Sequence, residues 1–322
     1  MPFKFALTVF FCFLAITVSG WTETVRRVRI GHFANVTHAQ ALVAHHLSRQ
    51  GKGWFEARLG PGVVVEWFVY NAGPSAMEGI LARSIDLTYV GPSPAINAYA
   101  RSNGKDIRIV AGAVDGGAGC VVQPDSGIRN GSDFRGKRIA TPQLGNTQDV
   151  ACRAYLKAHG LHITQVGGDA YVIPTPNPDQ VALFKSKRVD AVWTVEPWLT
   201  RLIREAGGVL FLEEKDAVTT VLVSSERFAT REPELLTKIV QANAELTDWI
   251  NAHPAEAQRI VVAELEAITR SRISPAIIAD AWGRMIFTSR VSREGIEQFV
   301  RDARAVGFLR RMPPLDHLFY VP

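Results

Sequence analysis

At 322 residues, 47% hydrophobic and 21% charged, the chain has an ordinary globular composition with length enough for two cores, which excludes disordered, collagenous and disulfide-stapled classes. Its 36 Lys and Arg stand against 31 Asp and Glu, a formal charge of +5, and bases alternate with acids along the chain. A nucleic-acid-binding stripe is thereby excluded.

Lys4 precedes an apolar run over residues 5–18, then come Ser19 and Gly20, and polar sequence starts at Trp21. That layout is a secretory signal peptide over residues 1–20, with the mature chain in the periplasm. The run is short for a membrane span, and no other segment approaches spanning length. An uncleaved anchor is the alternative. Export leaves Cys120 and Cys152 where disulfides are permitted. A bridge would close a loop of roughly thirty residues and stabilise by about 3 kcal/mol. Burial as separate thiols is equally natural, so the pairing stays open.

Past the leader, β-rich runs alternate with helical stretches. "VRRVRIGHF" leads into a helix over residues 37–49, and "GVVVEWFVYNAGPS" into "AMEGILARS". "IDLTYVGPSP" leads into "AINAYARSNG"; "IRIVAGAV" and "GCVVQP" follow with a Gly-rich "DGGAG" between them. "KRIATPQLGNTQDVACRAYLKAHG" reads as a strand, a turn and a helix capped by Asn146 and stopped at Gly160. "AYVIPTP" precedes the helix "NPDQVALFKSK", and "VDAVWTVEP" precedes "WLTRLIREAGG". From Glu232 onward the pattern is almost wholly helical. Strands and helices alternating at this spacing predict α/β layers with largely parallel sheets. Several strands end in small or polar residues just before a helix begins, where open α/β sheets bind ligands.

Two blocks, "EWFVYNAGPSAMEGILARSIDLTYVGPSPAINAYA" and "DFRGKRIATPQLGNTQDVACRAYLKAHGL", with the later "NPDQVALFKSKRVDAVWTVEPW", resemble the solute-binding proteins of the sulfonate, taurine and nitrate ABC importers. The resemblance covers residues 28–225 in motif and the helical tail in kind. It implies a two-lobed periplasmic-binding-protein type II fold with a helical C-terminal portion. Residues 26–113 and 218–322 would form lobe I and residues 114–217 lobe II, with hinge crossings at 115–119 and 216–220. The partners implied are a small anionic ligand, a membrane ABC permease and, through it, the ATPase subunit. The chain would act as a monomer, without nucleic acid, cofactor or metal.

By family position the ligand would meet Asn35, Thr37, His38, Gly73, Ser75, Gly91 and Ser93 from lobe I, and Gly145, Asn146, Thr147 and Gln148 from lobe II. A sulfonate has three acceptor oxygens and one charge, so neutral donors suit it. Asp149 would compete with an anion for the helix dipole and is expected to face away as a capping-box partner. Glu196, in "TVEPWL", could meet a cationic group on the ligand or hold a lobe contact. Trp193, Trp198, Tyr89 and Phe33 are candidates for an apolar wall, with the core as the other place for Trp193. His38, His45 and His46 share one helix face; without clustered Cys or carboxylates they predict no zinc site, His45 and His46 reading as a solvated face. Other ligands compatible with the resemblance are nitrate, bicarbonate and a heteroaromatic vitamin precursor. A desulfinase-like enzyme is disfavoured, because the loop "GHFANVTHA" has no Cys. No catalytic residue is expected.

Overall fold

The computed structural model describes residues 25–320; the signal peptide expected over residues 1–20 lies outside them. The chain runs β1 Arg26–Phe33, α1 Ala39–Arg49 (entered through a 3₁₀ turn, Val36–His38), α2 Trp54–Leu59, β2 Val63–Tyr70, α3 Gly73–Leu81, β3 Leu87–Val90, α4 Pro92–Arg101 and β4 Ile107–Gly116. It continues with β5 Ala118–Val122, β6 Arg138–Thr141, α5 Thr147–Ala158, β7 Tyr171–Pro174, α6 Asn177–Lys185, β8 Ala191–Val195, α7 Trp198–Ala206 and β9 Val209–Glu214. It then returns through β10 Val218–Ser225, α8 Glu226–Arg231, α9 Pro233–Ala252, α10 Pro254–Thr269, α11 Pro275–Trp282, β11 Met285–Phe287 and α12 Arg293–Ala305.

These strands make two sheets, ordered β11-β4-β10-β3-β1-β2 and β7-β6-β8-β5-β9. β1 pairs parallel with β2 and β3, and β6 with β7 and β8, as βαβ crossovers require. β10, "VTTVLVSS", lies antiparallel between β3 and β4 and is buried along its whole length, its Thr and Ser residues included. The helices keep apolar stripes toward the sheets. In α12, Ile296, Phe299, Val300 and Ala303 recur at the spacing of one helix face, behind a Ser292 cap whose Oγ accepts from Gly295 N at 3.0 Å. This is the two-lobed α/β architecture, with a helical C-terminal portion, that the resemblance implies.

Two details depart from the sequence pattern. The "DGGAG" stretch, expected as a hinge crossing, is mostly strand: β4 runs through Gly116 and β5 starts at Ala118, leaving Gly117 alone between sheets. Gly116 and Gly117 turn the chain with φ of 72° and 67°, and a Cβ at Gly117 would stand 2.6 Å from Met285 Cγ. The helical tail is also interrupted, because β11 adds an antiparallel edge to β4. A three-residue strand carries too little periodicity to stand out between helices.

Cys120, on β5, and Cys152, in α5, are fully buried free thiols in one core with Phe134 and Trp193. Burial pushes both thiols up, out of the reactive range. Of the two alternatives for this pair, the structure holds separate thiols.

Candidate functional site

Five helix N-termini converge on one small cavity between the lobes. The 3₁₀ turn before α1 brings Asn35, Thr37 and His38; the starts of α3 and α4 bring Asn71, Ala72, Gly73, Gly91 and Pro94. From the second lobe, α5 supplies Asn146, Thr147 and Gln148, and α6 supplies Asn177. Phe33, Pro142, Val195, Thr219 and Thr220 complete the wall. The cavity is about 30 Å³, room for a few water-sized groups. Among the described residues no Lys, Arg, Asp or Glu lines it.

The lobes touch around it. Ser93 N donates to Thr147 Oγ1 at 3.3 Å, Trp198 Nε1 to Asn35 Oδ1 at 2.9 Å, and Asn177 Nδ2 to the same Asn35 oxygen at 3.5 Å. Several buried polar atoms at this junction have no partner among the described residues: His38 Nδ1, Ser93 Oγ, Asn177 Oδ1 and Thr220 Oγ1. Such groups cost free energy unless something meets them. Burial first, then His32, pulls His38 well below the usual imidazole range, so it sits in the wall as a neutral ring.

The α5 turn divides its amides between structure and cavity. Asn146 Oδ1 caps the helix, accepting from Asp149 N at 2.8 Å, while its amide nitrogen donates to Gln148 Oε1 at 3.2 Å. The Gly145 amide donates to Asp149 Oδ2 at 2.9 Å, so it is withdrawn from any ligand. Asp149 does face away from the cavity, but as the centre of a buried network. Thr141 Oγ1 donates to its Oδ1 at 2.9 Å, and Arg153 Nε reaches its Oδ2 at 3.1 Å. Among the described residues the Thr147 and Gln148 amides find no acceptor. Asn146→Ala should therefore lower stability by about 1 kcal/mol in a denaturant titration, the usual worth of a side-chain cap; an unchanged midpoint would deny the capping role.

Of the residues singled out from sequence, Asn35, Thr37, His38, Gly73, Gly91, Asn146, Thr147 and Gln148 line the cavity. Ser75 does not: its hydroxyl donates to Ala72 O at 3.1 Å, closing the α3 turn. Ser93 stands just behind the wall, touching Thr147 through its amide. Gly145 faces Phe308 on the outside of the lobe junction. Trp193 belongs to the second lobe's core, its indole N–H on Glu214 Oε1 at 3.3 Å, and Tyr89 is core in the first lobe. Phe33 alone of the four aromatic candidates reaches the inner wall, and Trp198 lines the wider groove outside it.

Glu196 is fully buried and holds a lobe contact. It accepts from Thr200 N and Oγ1 at 3.1 and 2.8 Å, and Arg284 of the first lobe approaches it at 3.3 Å while also reaching Glu213 at 3.1 Å. Burial pushes its carboxyl up to about 7, against the pull of the Thr200 bonds and Arg284. His45 and His46 are not a solvated face. Both approach the buried carboxylate of Glu264 on α10, at 3.1 and 3.3 Å, and so tie α1 to the tail. No group able to hold a metal ion occurs among the described residues.

Asn71, Asn177, Thr219 and Thr220 were not singled out from sequence. Asn71 ends a strand and Asn177 begins a helix before Pro178, the same signal that marked their neighbours. The two threonines lie inside β10, at the end of the strand nearest the cavity, where no strand-to-helix turn marks them.

A family model described as "NMT1-like family" matches residues 22–266. A Bacillus subtilis (strain 168) protein assigned to aliphatic sulfonate binding is 27% identical over 247 residues, covering 74% of this chain and 70% of that protein. The nitrate/nitrite binding protein NrtA of Nostoc sp. is 29% identical over 143 residues, 44% of this chain and 28% of its own length. Among solved structures, the alkanesulfonate-binding protein SsuA of Xanthomonas axonopodis pv. citri, bound to MOPS, superposes with a TM-score of 0.72 at 22% identity, covering 91% of this chain and 96% of that one.

Proposed function

The chain belongs to the NMT1-like family, and from that membership and its cavity we propose that it is the substrate-binding component of an ABC importer, carrying a small, singly charged oxyanion to a membrane permease. The observation that carries this reading is the convergence of five helix N-termini on a cavity without one charged side chain. Helix N-termini give positive potential and free N–H donors, which hold an anion without the second charge a lysine would bring. Asn, Gln, Thr and the Thr147 and Gln148 amides match the many acceptors of a sulfonate, nitrate or bicarbonate. Relatives bearing sulfonate and nitrate names support the same class, and an organosulfonate is the ligand we favour. Relatives named as binding proteins support capture and not catalysis. The leader-like N-terminus supports export to the periplasm.

Calorimetry with ethanesulfonate, taurine, nitrate, bicarbonate and a neutral aminopyrimidine tests the reading. Sulfonates should bind and raise the unfolding midpoint with concentration, as any ligand of the native state does. Binding of the pyrimidine alone would overturn the proposal.

A further inference from the structure

The inner cavity opens, past the neck made by Asn35, Asn71 and Asn177, into a groove of about 890 Å³ that also lies between the lobes. Its character is the reverse of the cavity's. Among the described residues three arginines line it, Arg49, Arg201 and Arg272, and no carboxylate does. Arg49 and Arg272 belong to the first lobe, at the end of α1 and in the α10–α11 turn; Arg201 comes from α7 of the second.

Two of the three are partly engaged. Arg49 gives one nitrogen to Glu264 Oε1 at 2.7 Å, and Arg201 gives Nε and Nη2 to Glu205, leaving Nη1 unused. Arg272 is exposed and has no partner among the described residues. The Trp198 and Tyr70 rings line the same groove, with the Arg201 guanidinium 5.0 Å from the centre of the indole. An apolar wall beside unspent guanidinium donors is an arrangement that receives an organic spacer ending in an anion.

We propose that the ligand carries two negative groups: a sulfonate-type head in the inner cavity and, across a short spacer, a carboxylate or similar anion held by Arg272 and Arg201 from opposite lobes. This rests on the oxyanion reading of the cavity and narrows its substrate class to sulfonates with a second acidic group. The cavity's small volume requires that any spacer leave through the neck, and the groove is what it meets there.

The test compares ethanesulfonate with 3-sulfopropionate, which adds one carboxylate to nearly the same chain, by calorimetry at fixed ionic strength. In the unaltered protein 3-sulfopropionate should bind at least tenfold more tightly. In Arg272→Gln, and again in Arg201→Gln, the ratio of the two affinities should fall toward one, and Arg272→Lys should restore part of it. Equal affinities in the unaltered protein, or variants that weaken both ligands alike, would overturn the proposal while leaving the oxyanion cavity standing. If neither sulfonate binds, the oxyanion reading fails, and this one with it.

Discussion

Gly91→Val should bind a sulfonate about a hundredfold more weakly while unfolding, without ligand, close to where the unaltered protein does. Gly91 has φ −69° and ψ 153°, a conformation open to any residue, so its own lobe has no backbone reason to resist the change. The obstacle is across the cleft. A Cβ there would stand 2.2 Å from Thr147 Oγ1 and 3.2 Å from Thr147 Cβ. Overpacking of this kind costs about 1–3 kcal/mol, and at about 1.4 kcal/mol per decade of affinity the upper end is a hundredfold. Because the cost falls only on the state in which the lobes touch, it appears as lost affinity and a larger radius of gyration with ligand. Adding Thr147→Ala should recover part of the loss by removing the oxygen in the way. Wild-type affinity in Gly91→Val would show that the lobes need not meet at this point when ligand is held.

Arg153→Met should cost about 3–5 kcal/mol in a urea titration, the usual loss when one partner of a buried ion pair is removed. Arg153 and Asp149 are 1% and 0% exposed, one helical turn apart in α5. The guanidinium also donates to the carbonyls of Thr164 and Val172, so it fastens α5 to the loop before β7 and to β7 itself. Asp149 in turn positions the Gly145 amide and the Thr141 hydroxyl beneath the residues that line the cavity. A loss below about 1 kcal/mol would mean that water or a shifted side chain takes over from the guanidinium. Arg153→Lys should lie between, since an ammonium keeps the charge but cannot serve three acceptors in one plane.

The parts of this architecture that repeat were legible in the sequence. Alternating strands and capped helices gave away both lobes because each βαβ unit spends some thirty residues on two periodicities. Half of the cavity was legible for the same reason: a residue at a strand end before a helix, such as Asn35 or Asn146, has its place fixed by local geometry. Ser75 and Gly145 sat in equally suggestive turns, and their hydrogen-bonding groups are consumed inside the turn. Nothing local distinguishes a donor spent on a neighbouring carbonyl from one left for a ligand. For Trp193 and Glu196 the sequence left two places open each, and the structure takes the core for one and the lobe contact for the other. Their strand, β8, pairs with β5 and β6 in the middle of the second sheet, and which face looks toward the cleft depends on a register set by distant strands. The histidines were misjudged because Glu264, their common partner, lies more than two hundred residues along the chain.

The connectivity of the two sheets has a consequence for the order in which the protein can be made. Every strand of the second sheet lies between Ala118 and Glu214, and those two residues sit opposite one another in the β5–β9 pair. The second lobe is thus a continuous insert whose ends meet, and it is complete as soon as residue 214 has been synthesised. The first lobe is interrupted: β4 waits for β10 on one side and β11 on the other. At roughly 5–20 residues per second, the stretch from 214 to 287 takes about 4–15 s to emerge. During that interval the early strands β1 to β4 stand without their central partner, apolar edges uncovered. The larger core therefore cannot close until the chain has been made nearly to its end, whereas the insert can fold well before.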